Sequence, residues 1–312
     1  MQHVIPFLKL SITILLCIGS WFTVLAQENP YAGMTVAQMD SVTNSRIDSI
    51  EATLDYELGT QTLGANQATL QLSSTFKFLG PTEASFALVG ILGKPEINQK
   101  TWGIVVPFEV NLFNPSAYHF DIHYLDSGYV HQQDLSLIDY KELFLELQIQ
   151  TGLKRDSLRD KNQKPRTLLQ WAQQPIQDTI SHSLVWGFKY VVDGETENRI
   201  QYEARILGRF GYVSISSEGP ASTKAEQYDH LNKVLQSFSF KIGQKYSDYK
   251  PCCDQVTSYG TIYLISPNAL PSQDWLGNNW KWLLAVGLGL FIIYRRLSNR
   301  KNNEEEPSIE LD

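Results

Sequence analysis

The chain has 312 residues, of which 43% are hydrophobic and 12% aromatic, and its formal net charge is −7. This hydrophobic content is typical of a folded protein and excludes a largely disordered chain. The acidic balance argues against nucleic acid as a partner, because surfaces that bind nucleic acid are basic.

The N-terminal segment has the layout of a cleavable secretory signal. Lys9 precedes an apolar run over residues 10–18, and Val24 and Ala26 are short side chains at the end of the segment. The sequence therefore predicts export of the chain and cleavage after Ala26.

A second apolar segment, Trp280 to Tyr294, lies near the C-terminus. A bilayer span needs about 20 residues, and the flanking residues extend this segment to 278–296. Trp275, Trp280 and Trp282 lie at its N-terminal side, whereas Arg295 and Arg296 follow Tyr294 directly, and basic residues stay in the cytoplasm. The pattern predicts one transmembrane helix with the preceding domain outside the cytoplasm.

These two segments predict the domain organisation and a single-pass location in the cell membrane. The predicted parts are a signal peptide (1–26), an amphipathic helix with a linker (27–66), an exported domain (67–266), a juxtamembrane linker (267–277), the membrane helix (278–296) and an acidic cytoplasmic tail (297–312).

The exported part contains both helical and extended patterns. Apolar residues at helical spacing, or an acidic or proline start, predict helices over Thr35–Leu58, Pro81–Leu92, from Asp139 to Leu147, and over Ala221–Gln236. Alternation or β-branched and aromatic runs predict strands over Ala68–Leu72, Thr75–Leu79, Thr101–Val110, Tyr118–Tyr124, Leu184–Val192, Ile200–Leu207 and Tyr212–Ser216.

The order of these elements indicates the fold class. The first two strands read as a hairpin after a linker at Gly59–Asn66, the next two as a pair, and Gly208 and Gly211 as a tight turn between the last two. Strands in neighbouring pairs favour an α+β fold with a mainly antiparallel sheet and packed helices, together with the C-terminal transmembrane helix.

Several short motifs occur in the order seen in one known family. They are Gly128-Tyr129-Val130, Ile138-Asp139-Tyr140, Trp171-Ala172, His182-Ser183-Leu184-Val185-Trp186, Arg205-Ile206-Leu207-Gly208-Arg209 and Lys245-Tyr246-Ser247-Asp248. Over about Leu70 to Ile265 the chain resembles the membrane-anchored proteins of domain of unknown function 2167. The resemblance implies an exported domain with a C-terminal anchor, and it implies no particular activity.

One departure from that family concerns the residues after Gly128-Tyr129-Val130. The family usually has an acidic cluster there, whereas residues 131–134 of this chain keep only Asp134. A metal or acid-base role for this position is therefore not expected.

The polar residues within these motifs are the candidates for chemistry. A histidine beside a carboxylate can act as a general base, and arginines can bind an anionic group, so His182, Asp178, Arg205 and Arg209 are the candidate catalytic residues. Each also has a structural interpretation: His182 as a hydrogen-bonding residue and the two arginines as salt-bridge partners. No complete motif for a nucleophile, phosphate or metal is present, so we expect no cofactor and no metal.

Tryptophans and cysteines leave alternatives open. Trp102, Trp171 and Trp186 fit either a sugar-stacking platform or the core, and core tryptophans are the commoner case. Cys252 and Cys253 fit a free thiol pair, an intermolecular bridge, or a redox or soft-metal site.

Two functional hypotheses follow. The preferred one is a non-catalytic, membrane-anchored module that meets a protein or envelope partner. The alternative is an envelope hydrolase with His182, Asp178 and an arginine in one cleft. The sequence does not decide whether the protein is an enzyme.

Overall fold

The computed structural model describes residues 35–94, 99–114, 116–160 and 163–266. The predicted signal peptide, membrane helix and cytoplasmic tail lie outside these residues. Within the described ranges, no helix combines the length and the apolar character needed to cross a bilayer.

The chain divides into two compact units, Met1–Ile50 and Glu51–Asp312. Helix α1, Val36–Glu51, occupies most of the described part of the first unit. It confirms the predicted N-terminal helix but ends before the predicted end at Leu58. Its start is a capping box, because Gln38 N donates to Thr35 Oγ1 at 3.3 Å while Gln38 Oε1 accepts from Thr35 N at 2.9 Å.

The second unit is built on a seven-stranded sheet in which every neighbouring pair is antiparallel. In spatial order its strands are β3 (Phe76–Leu79), β4 (Lys100–Pro107), β5 (Phe120–Leu125), β10 (Tyr212–Pro220), β9 (Arg199–Leu207), β8 (Ser183–Val192) and β7 (Arg166–Asp178). The predicted α+β class with a mainly antiparallel sheet is therefore confirmed.

Two smaller sheets complete the described strands. One contains β1 (Thr60–Leu63), β2 (Ala68–Gln71) and β11 (Phe238–Phe240), and the other pairs β6 (Tyr129–His131) with β12 (Val256–Gly260) in parallel.

The helices of this unit are distributed along the chain between the strands. They are α2 (Pro81–Ser85), which continues as a π-helical turn (Phe86–Ile91), α3 (Tyr140–Leu153), α4 (Arg155–Asp160), α5 (Lys224–Ser237) and α6 (Thr261–Ile265). The predicted helices at Pro81, Asp139 and Ala221 are confirmed. Asp139 is the N-cap of α3 and accepts from Lys141 N at 2.8 Å.

Side-chain alternation divides the large sheet into two faces. On β5, Phe120, Ile122 and Tyr124 face a core that includes Leu231 and Val234 of α5. This core fills one face of the sheet, because successive residues of a strand point to opposite sides.

The opposite face carries a second core at one end only. Trp186 and Phe188 of β8 pack there with Leu143 and Leu147 of α3. Helix α2 lies against β4, near the other end of the strand order, and its π-helical turn follows it. On this face, the middle strands β5, β10 and β9 lie between helix α3 at one end and helix α2 at the other, and this is the open part of the sheet.

Two parts of the predicted strand arrangement are wrong. Strands β2 and β3 do not form a hairpin, because β2 pairs with β1 and β11 whereas β3 pairs with β4. The segment predicted as a linker, Gly59–Asn66, contains β1, whose alternate residues Gln61 and Leu63 are buried.

Strand β7 was not predicted at all. It is polar along much of its length and lies at the edge of the large sheet, so among the described strands one of its hydrogen-bonding edges has no partner. An edge strand does not need the continuous apolar character from which the other strands were recognised.

Candidate functional site

Polar residues form a continuous surface on the open part of the large sheet. Ser214 of β10 lies in register between His123 of β5 and Arg205 of β9. Two residues further along β10, Ser216 lies in register between Asp121 of β5 and Glu203 of β9. Because the residues between them point into the opposite core, this alternation places charged and hydroxyl groups together on one face.

A cavity of about 790 Å³ lies over this polar surface. Leu88 and Val89 of the π-helical turn form its apolar wall, and Lys94 and Arg166 contribute charged groups at its sides. Its volume is in the range of pockets that hold small molecules. Because it collects the charged and hydroxyl groups of the open sheet face, this cavity is the candidate site.

Asp121 is the most deeply buried charge of the site. Its side chain is 7% exposed, its Oδ2 accepts from Lys94 Nζ at 2.6 Å, and His119 Nε2 lies 3.2 Å from its Oδ1. Burial by itself would raise the pKa of Asp121, but His119 and Lys94 outweigh burial and hold that pKa well below its usual range. Asp121 is therefore an ionised, fixed carboxylate.

A second ion pair lies on β9, in the sheet surface that forms the floor of the cavity. Arg205 Nη1 donates to Glu203 Oε2 at 2.9 Å, and both side chains are largely buried. The Arg205 guanidinium also lies 4.9 Å from the centre of the Trp186 ring. Ion pairing and aromatic contact hold Arg205 against the sheet.

Arg166 has a different environment from the other cations. Its Nη1 donates to the Gln201 side-chain oxygen, and its guanidinium lies 5.4 Å from the centre of the Tyr190 ring. Among the described residues, no carboxylate lies within ion-pair distance of Arg166. Within the described part of the chain, its guanidinium therefore has no ion-pair partner.

His123 is a buried imidazole in the wall of the cavity. It is 6% exposed, and its Nδ1 has no hydrogen-bond partner in the described part of the chain. Burial lowers the pKa of His123, so the ring is neutral near pH 7.

The four residues predicted from sequence do not converge on this cavity. Arg205 lines it, whereas Asp178 lines a separate cavity of about 270 Å³, and His182 and Arg209 line neither. Their catalytic role stays a prediction.

Asp178 and His182 organise the turn between β7 and β8. Asp178 accepts from Ile180 N at 2.8 Å and from the Ser181 hydroxyl at 2.7 Å, and these bonds lower the pKa of Asp178. His182 has a backbone φ of 53°, and its Nδ1 lies 2.9 Å from Gln132 Oε1. Burial lowers the pKa of His182.

Arg209 forms a bidentate ion pair. Its Nε and Nη2 donate to Asp254 at 2.7 and 2.8 Å. This geometry joins the β9–β10 turn to the segment before β12, as the salt-bridge interpretation predicted.

The tryptophans and cysteines have separate environments. Trp102 and Trp186 are buried in the two cores, at 1% and 2% exposure, and Trp171 is partly buried and stacks on Phe188. The core interpretation of Trp102 and Trp186 is therefore confirmed. Cys252 and Cys253 are exposed and joined by a disulfide.

Most residues of the cavity were not predicted from the sequence. Asp121 and His123, with His119 before them, alternate with aromatic and apolar residues in a strand that was itself predicted. Polar residues at every second position of an otherwise apolar strand are a signal that its second face is not an ordinary core.

Within the described ranges, no three His, Cys, Asp or Glu side chains are grouped to hold a metal ion.

Fold and site together define an α+β domain with one face of its sheet packed and the other holding a charged cavity. The chain belongs to the family described as "Protein of unknown function (DUF2167)", whose model matches residues 55–273. The resemblance read from the short motifs is thereby confirmed. No curated protein matches the chain.

Two solved structures show a distant likeness. Cyanobacterial PsbP (CyanoP) from Synechocystis sp. PCC 6803 is 6% identical, with a TM-score of 0.33 over 58% of this chain and 91% of that chain. The Ran-binding protein Mog1p from Saccharomyces cerevisiae is 14% identical, with a TM-score of 0.32 over 64% of this chain and 100% of that chain. Both likenesses are too distant to carry a functional inference.

Proposed function

We propose that the protein is an exported, single-pass membrane-anchored binding module, and that its domain recognises a small polar ligand in the central cavity without transforming it. The observation that carries this proposal is the charged cavity on the open face of the sheet. A cavity lined by charged and hydroxyl groups is suited to a polar ligand, because such groups fix the orientation of what they bind.

The state of the charged groups supports binding over catalysis. A general acid or base must reach the substrate and exchange a proton near the working pH. Asp121 is held ionised by Lys94 and His119, and Glu203 is paired with Arg205. Groups fixed in this way supply a stable electrostatic environment but are poorly suited to proton transfer.

The hydrolase alternative requires His182, Asp178 and an arginine around one cleft. In the structure, Asp178 and His182 hold a turn, and Arg209 is engaged by Asp254. No geometric observation therefore favours this alternative over the binding module.

Membrane anchoring is the part of the proposal that rests on sequence alone. The apolar segment around Trp280 to Tyr294, followed by Arg295 and Arg296, supports an anchor with the domain on the extracytoplasmic side. An anchor of this kind would concentrate the cavity at the outer surface of the membrane.

The test uses the full-length protein reconstituted in lipid nanodiscs and a small-molecule extract of the cells that produce it. After incubation and washing, retained molecules are released by heat and identified by mass spectrometry. We expect the wild type to retain a molecule and to release it with unchanged mass. Ser216→Leu, which fills the floor of the cavity, should abolish retention, whereas Ser239→Leu on β11 should not.

Two results would contradict the proposal. Equal retention by wild type and Ser216→Leu, with both folded by thermal melting, would remove the cavity as the binding site. Release of the molecule in a chemically altered form would show an enzyme instead.

A further inference from the structure

We infer that the ligand of the central cavity carries an oxyanion, a carboxylate or a phosphate, together with hydroxyl groups, and that Arg166 binds the oxyanion. This inference rests on the proposed binding function and names its ligand class. The observation that carries it is that one cavity contains, among the described residues, a guanidinium without a carboxylate partner and hydroxyl groups without a protein partner.

The ion pairs around the cavity indicate where a ligand anion would bind. Each carboxylate that lines the cavity has a basic partner: Asp121 with Lys94 at 2.6 Å, Glu203 with Arg205 at 2.9 Å, and Glu218 with Arg199 at 3.0 Å. Arg166 remains as the one cation of this described cluster without a carboxylate. A ligand oxyanion would complete the pairing.

The chemistry of Arg166 is suited to that role. A guanidinium presents several N–H donors in one plane and binds carboxylate or phosphate oxygens through two parallel hydrogen bonds. One nitrogen, Nη1, is used by Gln201, which fixes the orientation of the group, and the Tyr190 ring supports it. Other N–H donors of Arg166 stay available to a ligand.

The floor of the cavity supplies the second part of the recognition. The hydroxyl groups of Ser214 and Ser216 on β10, and of Thr101 on β4, have no protein hydrogen-bond partner in the described residues. A hydroxyl group donates and accepts, so a row of them matches a ligand that carries hydroxyl groups itself.

His123 adds an imidazole to the wall of the cavity. It is 6% exposed, and because burial lowers its pKa it contributes a neutral polar ring rather than a charge.

The test is calorimetric titration of the full-length protein in nanodiscs with three defined probes. D-gluconate represents a hydroxylated carboxylate, glycerol 3-phosphate a hydroxylated phosphate, and sorbitol a hydroxylated molecule without charge. We expect gluconate or glycerol 3-phosphate to bind and sorbitol not to bind, and the anion that binds identifies the source of the oxyanion. Binding should weaken as salt is raised, because mobile ions screen the attraction.

Arg166→Gln should weaken anion binding by about tenfold to a hundredfold, because it removes a charge-assisted hydrogen bond. Arg159→Gln is the matched control: Arg159 is an exposed arginine outside the cavity, and its replacement should leave binding unchanged. Both variants should melt within a few degrees of the wild type.

Binding of sorbitol as tightly as of the anions, or full anion binding by Arg166→Gln, would overturn the inference. So would the absence of binding by all three probes. Ser216→Leu distinguishes a failure of this inference from a failure of the proposed function. If Ser216→Leu loses binding while Arg166→Gln keeps it, the cavity remains a binding site and only the assignment of an oxyanion to Arg166 is wrong.

Discussion

Asp121 carries a charge that folding removes from water and compensates with two neighbours. Lys94 Nζ lies 2.6 Å from one of its oxygens, and His119 Nε2 lies 3.2 Å from the other. Asp121→Asn should lower the free energy of unfolding by about 1–3 kcal/mol at pH 7, because it removes the negative charge that accepts from Lys94 and faces His119. Urea unfolding of both proteins measures the difference.

The same substitution has a defined pH dependence. The folded pKa of Asp121 lies below its unfolded value of about 3.9, so its stabilisation is present above that value and is lost as the pH falls towards the folded pKa. The difference between wild type and Asp121→Asn should therefore shrink between pH 7 and pH 3. Asp229→Asn, at an exposed ion pair on α5, is the control and should change stability little. A difference that is constant with pH would show that Asp121 is not stabilised by its charge.

The ion pair of Arg209 with Asp254 can be tested for a role in stability as distinct from a role in ligand binding. Asp254→Asn should lower Tm, because Arg209 loses its bidentate partner and Lys250 N loses a charged acceptor. Binding in the central cavity should be unaffected. Asp156→Asn, in an exposed ion pair with Arg159, should leave Tm unchanged. Loss of ligand binding in a folded Asp254→Asn protein would return Arg209 to the list of site residues.

At the scale of single elements, the bulge in β4 shows how one residue sets the faces of a strand. Trp102 and Val105 face the same core although they are three residues apart, because the register shifts between Thr101 and Gly103. Gly103 has a φ of 149°, and a Cβ there would collide with the Phe78 ring. The bulge also leaves Thr101 on the side of the cavity.

Gly103→Ala should therefore lower the free energy of unfolding by about 2–4 kcal/mol, from backbone strain and the clash together. Gly59→Ala is the matched control, because Gly59 has a φ of 78° but open space around its Cα. It should cost about 1–2 kcal/mol from strain alone. Equal effects in chemical denaturation would contradict the role assigned to the Phe78 contact.

Elements whose pattern reflects a packed face were predictable. Local residues predicted the strands β8, β9 and β10 and the start of α3 at its N-cap Asp139. In the structure these elements lie close to the predicted bounds. Strand β7 and the pairing of β2 were not predictable in this way. An edge strand carries few apolar residues, and the partner of a strand is chosen by contacts distant in the chain.

For the whole molecule, the predicted anchor can be tested directly. A chain that ends at residue 277 should leave the membrane fraction, whereas the full chain should stay there after alkaline extraction, because residues 278–296 supply the apolar segment. A chain that ends at residue 296 is the control and should remain in the membrane. Retention of the chain that ends at residue 277 would show that another part of the protein holds it there.

The candidate site is also a property of the whole molecule. Arg205 was identified from sequence, but its cavity neighbours come from distant parts of the chain: Lys94 before β4, Asp121 in β5 and Arg166 at the start of β7. The spatial order of the strands brings them together. Conversely, Asp178 and His182 are near in sequence and remain in a local turn.

The sequence by itself determined the α+β class, most of the strands and helices, and membership of the family. These depend on local periodicity, capping and short motifs, which are all present in the order of residues. Only the tertiary structure decided which charges are neutralised and which cation is left over, because ion pairing depends on distances between strands that the chain order does not fix. The position and charge of the cavity are likewise properties that only the tertiary structure decided.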